Sequence, residues 1–197
     1  MAVADILQSG ARVFYAPEGE ALPSENSVPY GAAWGGNWVN PTYTLEPVTI
    51  KFERTVGPIT VEQSTLPLDA LVTEESIEIE TTLAEVTGAN LNLALDGTLT
   101  TTAAGPSQAP KEEVEAGGNA LLTKRAWGFE GLYRKSDGTQ LPVRVFVYRG
   151  AAVLGGELKF SKKDPLGVPL QITAYADVTK VAGKQGLKIQ KVTGVHT

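Results

Sequence analysis

The stretch TEESIEIETTLAEVTGANLNLALDG, residues 73–97, changes period partway along, and that change limits the folds open to the chain. Ile77 and Ile79 alternate with Glu78 and Glu80, the period-two pattern of a half-buried strand. From Thr82 the reading turns helical, with Glu85 three residues on and Leu83, Val86, Leu91 and Leu95 as apolar positions. This spacing predicts a capping box that opens an amphipathic helix at Thr82.

Elsewhere the strand period dominates. Residues 12–15, 48–53, 59–64, 76–81, 127–134, 143–149, 156–160, 170–176 and 187–192 read as strands. In the second of these, Val48, Ile50 and Phe52 share one face and Thr49, Lys51 and Glu53 the other. The Val56-Gly57-Pro58 run predicts a tight turn, and Asp137-Gly138 within KSDGTQLP predicts a hairpin. Strands before and after a single helix imply a mainly β fold, a β-sandwich or barrel with one flanking α-helix. No repeat at solenoid or propeller spacing is visible. At 197 residues, with 42% hydrophobic content, the chain suits a single domain with an ordinary core.

Two stretches lack a convincing element, residues 16–47 and 100–118, and loops of that length are functional or disordered when they occur. The second, TTTAAGPSQAPKEEVEAGG, has no apolar anchor and is expected to be mobile. The first carries Tyr30, Trp34, Trp38 and Tyr43. Either these aromatics fold back over their own core, or they anchor a partner surface. The expectation is the second: the loop is mobile in a free chain and orders against a neighbouring subunit, with all four as anchors.

Charge narrows the function. The formal net charge of −5 argues against a dedicated nucleic-acid binder. Residues 55–110 hold no Lys or Arg, while the chain from Lys124 onward is rich in both. Two solvated faces of different sign explain this, and so does self-complementarity, an acidic face of one copy meeting a basic face of the next.

Catalytic constellations are sparse. The sole histidine, His196, is next to last, where a general base is poorly held. Glu74, Glu75, Glu78 and Glu80 offer carboxylate pairs, but Glu78 and Glu80 lie on a polar strand face where solvated carboxylates are ordinary. With no cysteine, thiolate metal sites and a Cys nucleophile are excluded. GAAWGGNW and AGGNA are turn glycines rather than phosphate loops, and no Asp-x-Asp calcium loop occurs. The expectation is a non-enzyme without cofactor or metal. The opening MAVADILQSGARVFY has no basic n-region and no sustained apolar run, so neither a signal peptide nor a membrane span is expected, and cytoplasmic synthesis is the default.

SKKDPLGVPLQITAYAD (161–177) resembles the late-strand segment of the tail tube proteins, or major tail proteins, of long-tailed bacteriophages. VFYAPEGEALP (13–23) with YTLEPVTIKFE (43–53) resembles their opening strand and long loop, and EESIEIETTLAEVTGANLNLAL (74–95) their strand-then-helix core. The resemblance runs in order over most of the chain, about residues 13–192. It implies a structural virion protein whose hexameric rings share an inner β-barrel and stack into a hollow tube, the conduit for DNA during ejection. Tape measure, tail tip and tail terminator proteins are the implied partners, with no membrane partner, and the location is the virion after assembly in the host cytoplasm. Glu62, Glu78 and Glu80 are then the candidates to face the channel. Two other readings fit the same residues: a soluble β-sandwich module binding carbohydrate or protein, with Trp34 and Trp38 as a stacking platform, and the tube subunit of a contractile secretion machine.

Overall fold

The computed structural model describes residues 6–7, 10–25, 28–163 and 166–194; His196 lies outside them. The strands are β1 (Ile6–Leu7), β2 (Arg12–Pro17), β3 (Thr49–Ile59) and β4 (Asp69–Leu83) before helix α1 (Gly88–Leu95). After it come β5 (Thr98–Thr102), β6 (Lys111–Glu115), β7 (Lys124–Arg134), β8 (Gln140–Leu154), β9 (Val168–Ala174) and β10 (Leu187–Lys191). The main sheet runs β1-β7-β8-β9-β4-β3 and curls into half a barrel, with β2 beside β7 and β10 beside β8. Its ladders are antiparallel. β8 is long enough to serve two partners on one edge: Val143 to Val147 pair with β10, and Gly150 to Leu154 pair with β9. This mainly β half-barrel with one helix fits the β-sandwich or barrel with one flanking helix that the strand periodicity predicts.

Alternation along β7 and β8 explains why both of their faces are covered. Trp127, Phe129 and Val147 point into the main core with Val13, Ile79, Leu170 and Ile172. Helix α1 closes that core with Leu93 and Ala94. On the opposite face, Phe14, Ala126 and Phe146 form a second cluster, which Trp34 and Trp38 complete. The described residues of the 16–47 stretch therefore form a strap over their own sheet. Paired bonds between Tyr15 and Val39 (2.8 and 2.9 Å) hold its middle, and Leu45 N–H to the Thr82 carbonyl (2.8 Å) holds its end. Beneath it lies a fully buried ion pair: Arg144 Nε donates to Glu130 Oε1 at 2.9 Å, and the same guanidinium donates to the Val28 carbonyl. Gly31 N–H donates to Glu130 Oε2 at 3.3 Å. The strand charges and the strap backbone thus satisfy most of each other's bonding groups, as burial demands, with Arg144 Nη1 left without a hydrogen-bond partner.

Four local expectations are corrected. The helix begins at Gly88, not Thr82. Thr82 is still in β4, paired with Pro169, and the N-cap is Thr87, whose hydroxyl accepts from Asn90 N–H at 3.2 Å. Leu83 is a buried strand residue and Val86 is exposed, so neither belongs to the helix face. Val56-Gly57-Pro58 does not turn: β3 continues through it to Ile59, with a bulge at Thr55/Val56, and the chain reverses over residues 60–68. Residues 156–160 form no strand. Residues 100–118 are not a mobile loop but enter the β5–β6 hairpin, which packs on α1; there Glu112 Oε2 accepts from Gly88 N–H at 2.7 Å. Glu112 supplies from a distant strand the N-terminal acceptor that a capping box would have taken from within the helix.

The C-terminal end of α1 is fixed by Asp96, a left-handed residue (φ 48°) that is 7% exposed. Its carboxylate accepts from Thr123 N–H at 2.8 Å and lies 3.5 Å from Arg125. Burial works against the charge, but the Thr123 bonds and the Arg125 guanidinium outweigh it and hold the pKa below the usual carboxylate value. A depressed folded pKa gives stability that is present above the unfolded pKa and lost as pH falls through the folded one. Asp96→Asn keeps a residue that tolerates this backbone. It is expected to cost about 1–3 kcal/mol at neutral pH, with the gap to wild type closing in acid. Denaturant melts of both proteins at several pH values measure this.

Candidate functional site

The tip half of the β3–β4 hairpin stands clear of the body. β9 covers the free side of β4 only from Glu78 to Leu83, so the stretch from Asp69 to Ile77 is held by β3 alone. Along this arm Val56, Leu71 and Val72 remain half or more exposed, and Leu66 and Leu68 at the reversal are 72% and 65% exposed. Leu68 N–H donates to the Ile59 carbonyl at 2.8 Å, so the tip is closed by backbone bonding. A long two-stranded ribbon with apolar groups in water is marginal by itself, and such patches mark interaction surfaces. Sequence reasoning misses this region. Its signal is the apolar set in LPLDALV, which lies between two strand candidates and belongs to neither.

The two faces of the arm differ. Cross-strand register puts Lys51 opposite Glu78 and Thr49 opposite Glu80, with Glu53 opposite Ser76 and Thr55 opposite Glu74. The same face continues through Thr173 and Gln171 of β9 to Ala151 and Val153 of β8. Along Thr49–Thr55 of β3 and Glu74–Glu80 of β4, Lys51 is the single cation of this face against Glu53, Glu74, Glu78 and Glu80, while β8 carries Arg149 two residues before Ala151. The Lys51 bond to Glu53 (3.1 Å), then the fields of Glu53, Glu78 and Glu80, hold the Lys51 pKa above its usual value. Glu78 and Glu80 are therefore brought together, as alternation predicts. Glu62 is not with them. It lies in the reversal beyond Ile59, and Ile59 is itself about 26 Å along the arm from Lys51 at about 3.3 Å per residue.

The other face is apolar and bounds a groove of about 730 Å³ between the arm and β10. Ile50, Phe52 and Ile77 form one wall and Leu187 and Ile189 the other. Arg54, bonded to Glu75 at 2.6 Å and placed over the Phe52 ring, marks the outer end. Phe52 is 45% exposed there.

The aromatic candidates divide. Trp34 and Trp38 are buried in their own chain, at 3% and 7% exposure, which removes them both as inter-subunit anchors and as a stacking platform. Trp34 stacks on Phe14 at 4.0 Å, meets Trp38 edge-on at 5.1 Å and tilts against Phe146 at 5.5 Å. The seat exists because the strand beneath has Gly128, where an added Cβ would overlap the indole. Trp38 Nε1 donates to the Ala21 carbonyl at 2.8 Å. Tyr30 is partly buried on the strap, and Tyr43 is 76% exposed where the strap meets β4.

Among the described residues no group of three His, Cys, Asp or Glu side chains is placed to hold a metal, and no helix is long and apolar enough to cross a membrane. The sequence matches no protein-family model and no curated protein.

Proposed function

We propose that this protein is a structural, non-catalytic subunit that polymerises with copies of itself into a tube, as the resemblance to phage tail tube proteins implies. The arm carries this reading. The body gathers its core in two buried clusters and exposes apolar side chains such as Leu121, Val178 and Val181 at separate points, while the arm sets Val56, Leu66, Leu68, Leu71 and Val72 in water along one ribbon. A second copy is the partner at hand, and rings of such copies, six in the related family, would stack into a conduit. In that arrangement the face of Glu78 and Glu80 lines the channel, the virion is the site of action, and tape measure, tip and terminator proteins meet the tube at its interior and ends.

An acidic channel suits the passage of DNA. A basic wall would bind the polyanion through counterion release, whereas carboxylates repel it within about 8 Å at physiological salt. Negative-stain microscopy and sedimentation of the purified protein test the assembly. Rings or tubes that form with rising concentration support it, and a chain that stays monomeric at millimolar concentration overturns it.

A second prediction tests the channel. Glu78→Lys with Glu80→Lys moves the formal net charge from −5 to −1, two units for each substitution. Both side chains lie on the polar side of β4, so tubes are expected to form normally. Particles carrying them are expected to deliver DNA poorly, with the defect relieved as salt is raised. Normal ejection from such particles at low salt removes these residues from the channel wall.

A further inference from the structure

β8, β9, β4 and β3 form a four-stranded stretch whose two margins are open. On one margin, β3 has no strand partner on its outer edge from Thr49 to Ile59 among the described residues. On the other, the β7–β8 ladder stops at Lys124 opposite Ala151, while β8 goes on to Leu154. Gly155 N–H still donates to the Pro169 carbonyl at 3.1 Å, and then pairing ends. The next residues, Glu157-Leu158-Lys159-Phe160, alternate like a strand but form none, and Phe160 is 88% exposed. A strand pattern without a strand, with an aromatic in water, marks a segment open to strand addition.

The chain direction identifies what it would pair with. The four strands alternate in direction, so β3 and β8 run in opposite senses. A second copy set beside the first in the same orientation therefore meets β3 antiparallel with its β8 margin. Such a head-to-tail contact closes into a ring when the rotation fits, and it removes both open edges.

The geometry points to residues 157–160 of one copy forming an added strand on the β3 edge of the next, with Phe160 opposite Phe52 and Lys159 opposite Glu53. The inference rests on the self-assembly reading above and names the contact that would build the ring. Only registers that keep Leu158 and Phe160 on the groove side, with Ile50 and Phe52, bury apolar surface. One of these sets Lys159 against Lys51 and Glu157 against Glu53, like charges directly opposite, which is destabilising. A shift of two residues puts Lys159 against Glu53, pairs the two aromatics and lays Leu158 along the Arg54 stem. Glu53 and Lys159 are both exposed, and their present partners Lys51 (3.1 Å) and Glu157 (3.6 Å) form surface pairs that rearrange easily.

The absence of cysteine makes the test direct. Glu53→Cys with Lys159→Cys, oxidised after assembly, is expected to give a ladder of covalent oligomers on a non-reducing gel that collapses on reduction. Each single variant should stop at dimers. Lys51→Cys with Glu157→Cys, which match only in the opposite shift, should give no ladder. Tubes seen by microscopy without the ladder, or a ladder from the control pair instead, overturn this contact and leave self-assembly standing. If wild type forms no rings or tubes, the assembly reading falls and this contact with it. Should the cysteine pair itself block assembly, charge reversal decides: Glu53→Lys is expected to abolish tubes and added Lys159→Glu to restore them. Failure of that rescue overturns the register.

Discussion

Leu66→Ser, Leu68→Ser and Leu71→Ser together are expected to abolish polymerisation at concentrations where wild type assembles, while the monomer melts within about 6 °C of wild type. All three side chains are more than 60% exposed, so the monomer has little burial to lose. Surface changes of this kind fall within roughly 0.5 kcal/mol each, so three stay within about 1.5 kcal/mol, or about 6 °C for a chain of this size. In a tube the same groups would be covered. Burying a leucine is worth about 1.5–3 kcal/mol, so even partial burial of three puts roughly 3–4 kcal/mol into each contact. That raises the concentration needed for assembly by about 10²–10³-fold. Sedimentation across a concentration series and a thermal melt measure the two halves of the prediction. An unchanged assembly threshold removes the arm from the contact, and a large drop in melting temperature returns these leucines to the monomer core.

Trp34→Ala is expected to act in the opposite way, lowering monomer stability by about 3–5 kcal/mol. The corresponding fall in melting temperature is about 6–20 °C. The indole is the centre of the second cluster, in contact with Phe14, Trp38 and Phe146 at once, and its loss leaves a cavity that the rigid strands beneath cannot fill. Gly128→Ala attacks the same seat from the strand side without removing an aromatic, and should destabilise by overlap rather than by vacancy. Differential scanning calorimetry of both variants checks this. A Trp34→Ala monomer that melts with wild type would return the strap to the role that the sequence suggests for it.

The legible parts of this fold are those in which a segment reports its own surroundings. Ile77 and Ile79 alternate with Glu78 and Glu80 because one face of β4 meets the core and the other does not, and the pattern records that directly. Asp137-Gly138 marks its hairpin because Gly138 takes φ 88°, a demand met within the turn itself. What fails to show depends on segments far apart. Glu130 and Arg144 occupy alternating positions that read as a solvated strand face, and only the strap makes them interior. The strap in turn reads as a free loop because its aromatics follow no period; they are spaced to fit Gly128, Phe14 and Phe146. The helix start is hidden for the same reason. Thr82-x-x-Glu85 satisfies the local capping rule, but pairing with Pro169 keeps Thr82 in β4, and Glu112 from another hairpin caps the helix further along.

The strap also sets a timetable for synthesis. Its carbonyl at Val28 waits for a guanidinium 116 residues further along the chain, and Arg12 waits 118 residues for Glu130. At roughly 5–20 residues per second, Phe14, Trp34 and Trp38 leave the ribosome some 5–25 s before the strands that receive them. Until then the nascent chain presents its largest apolar side chains to the cell with nothing to pack on. A segment made well before its partners is thus among the last to fold, and the yield of native protein depends on how well that interval is guarded.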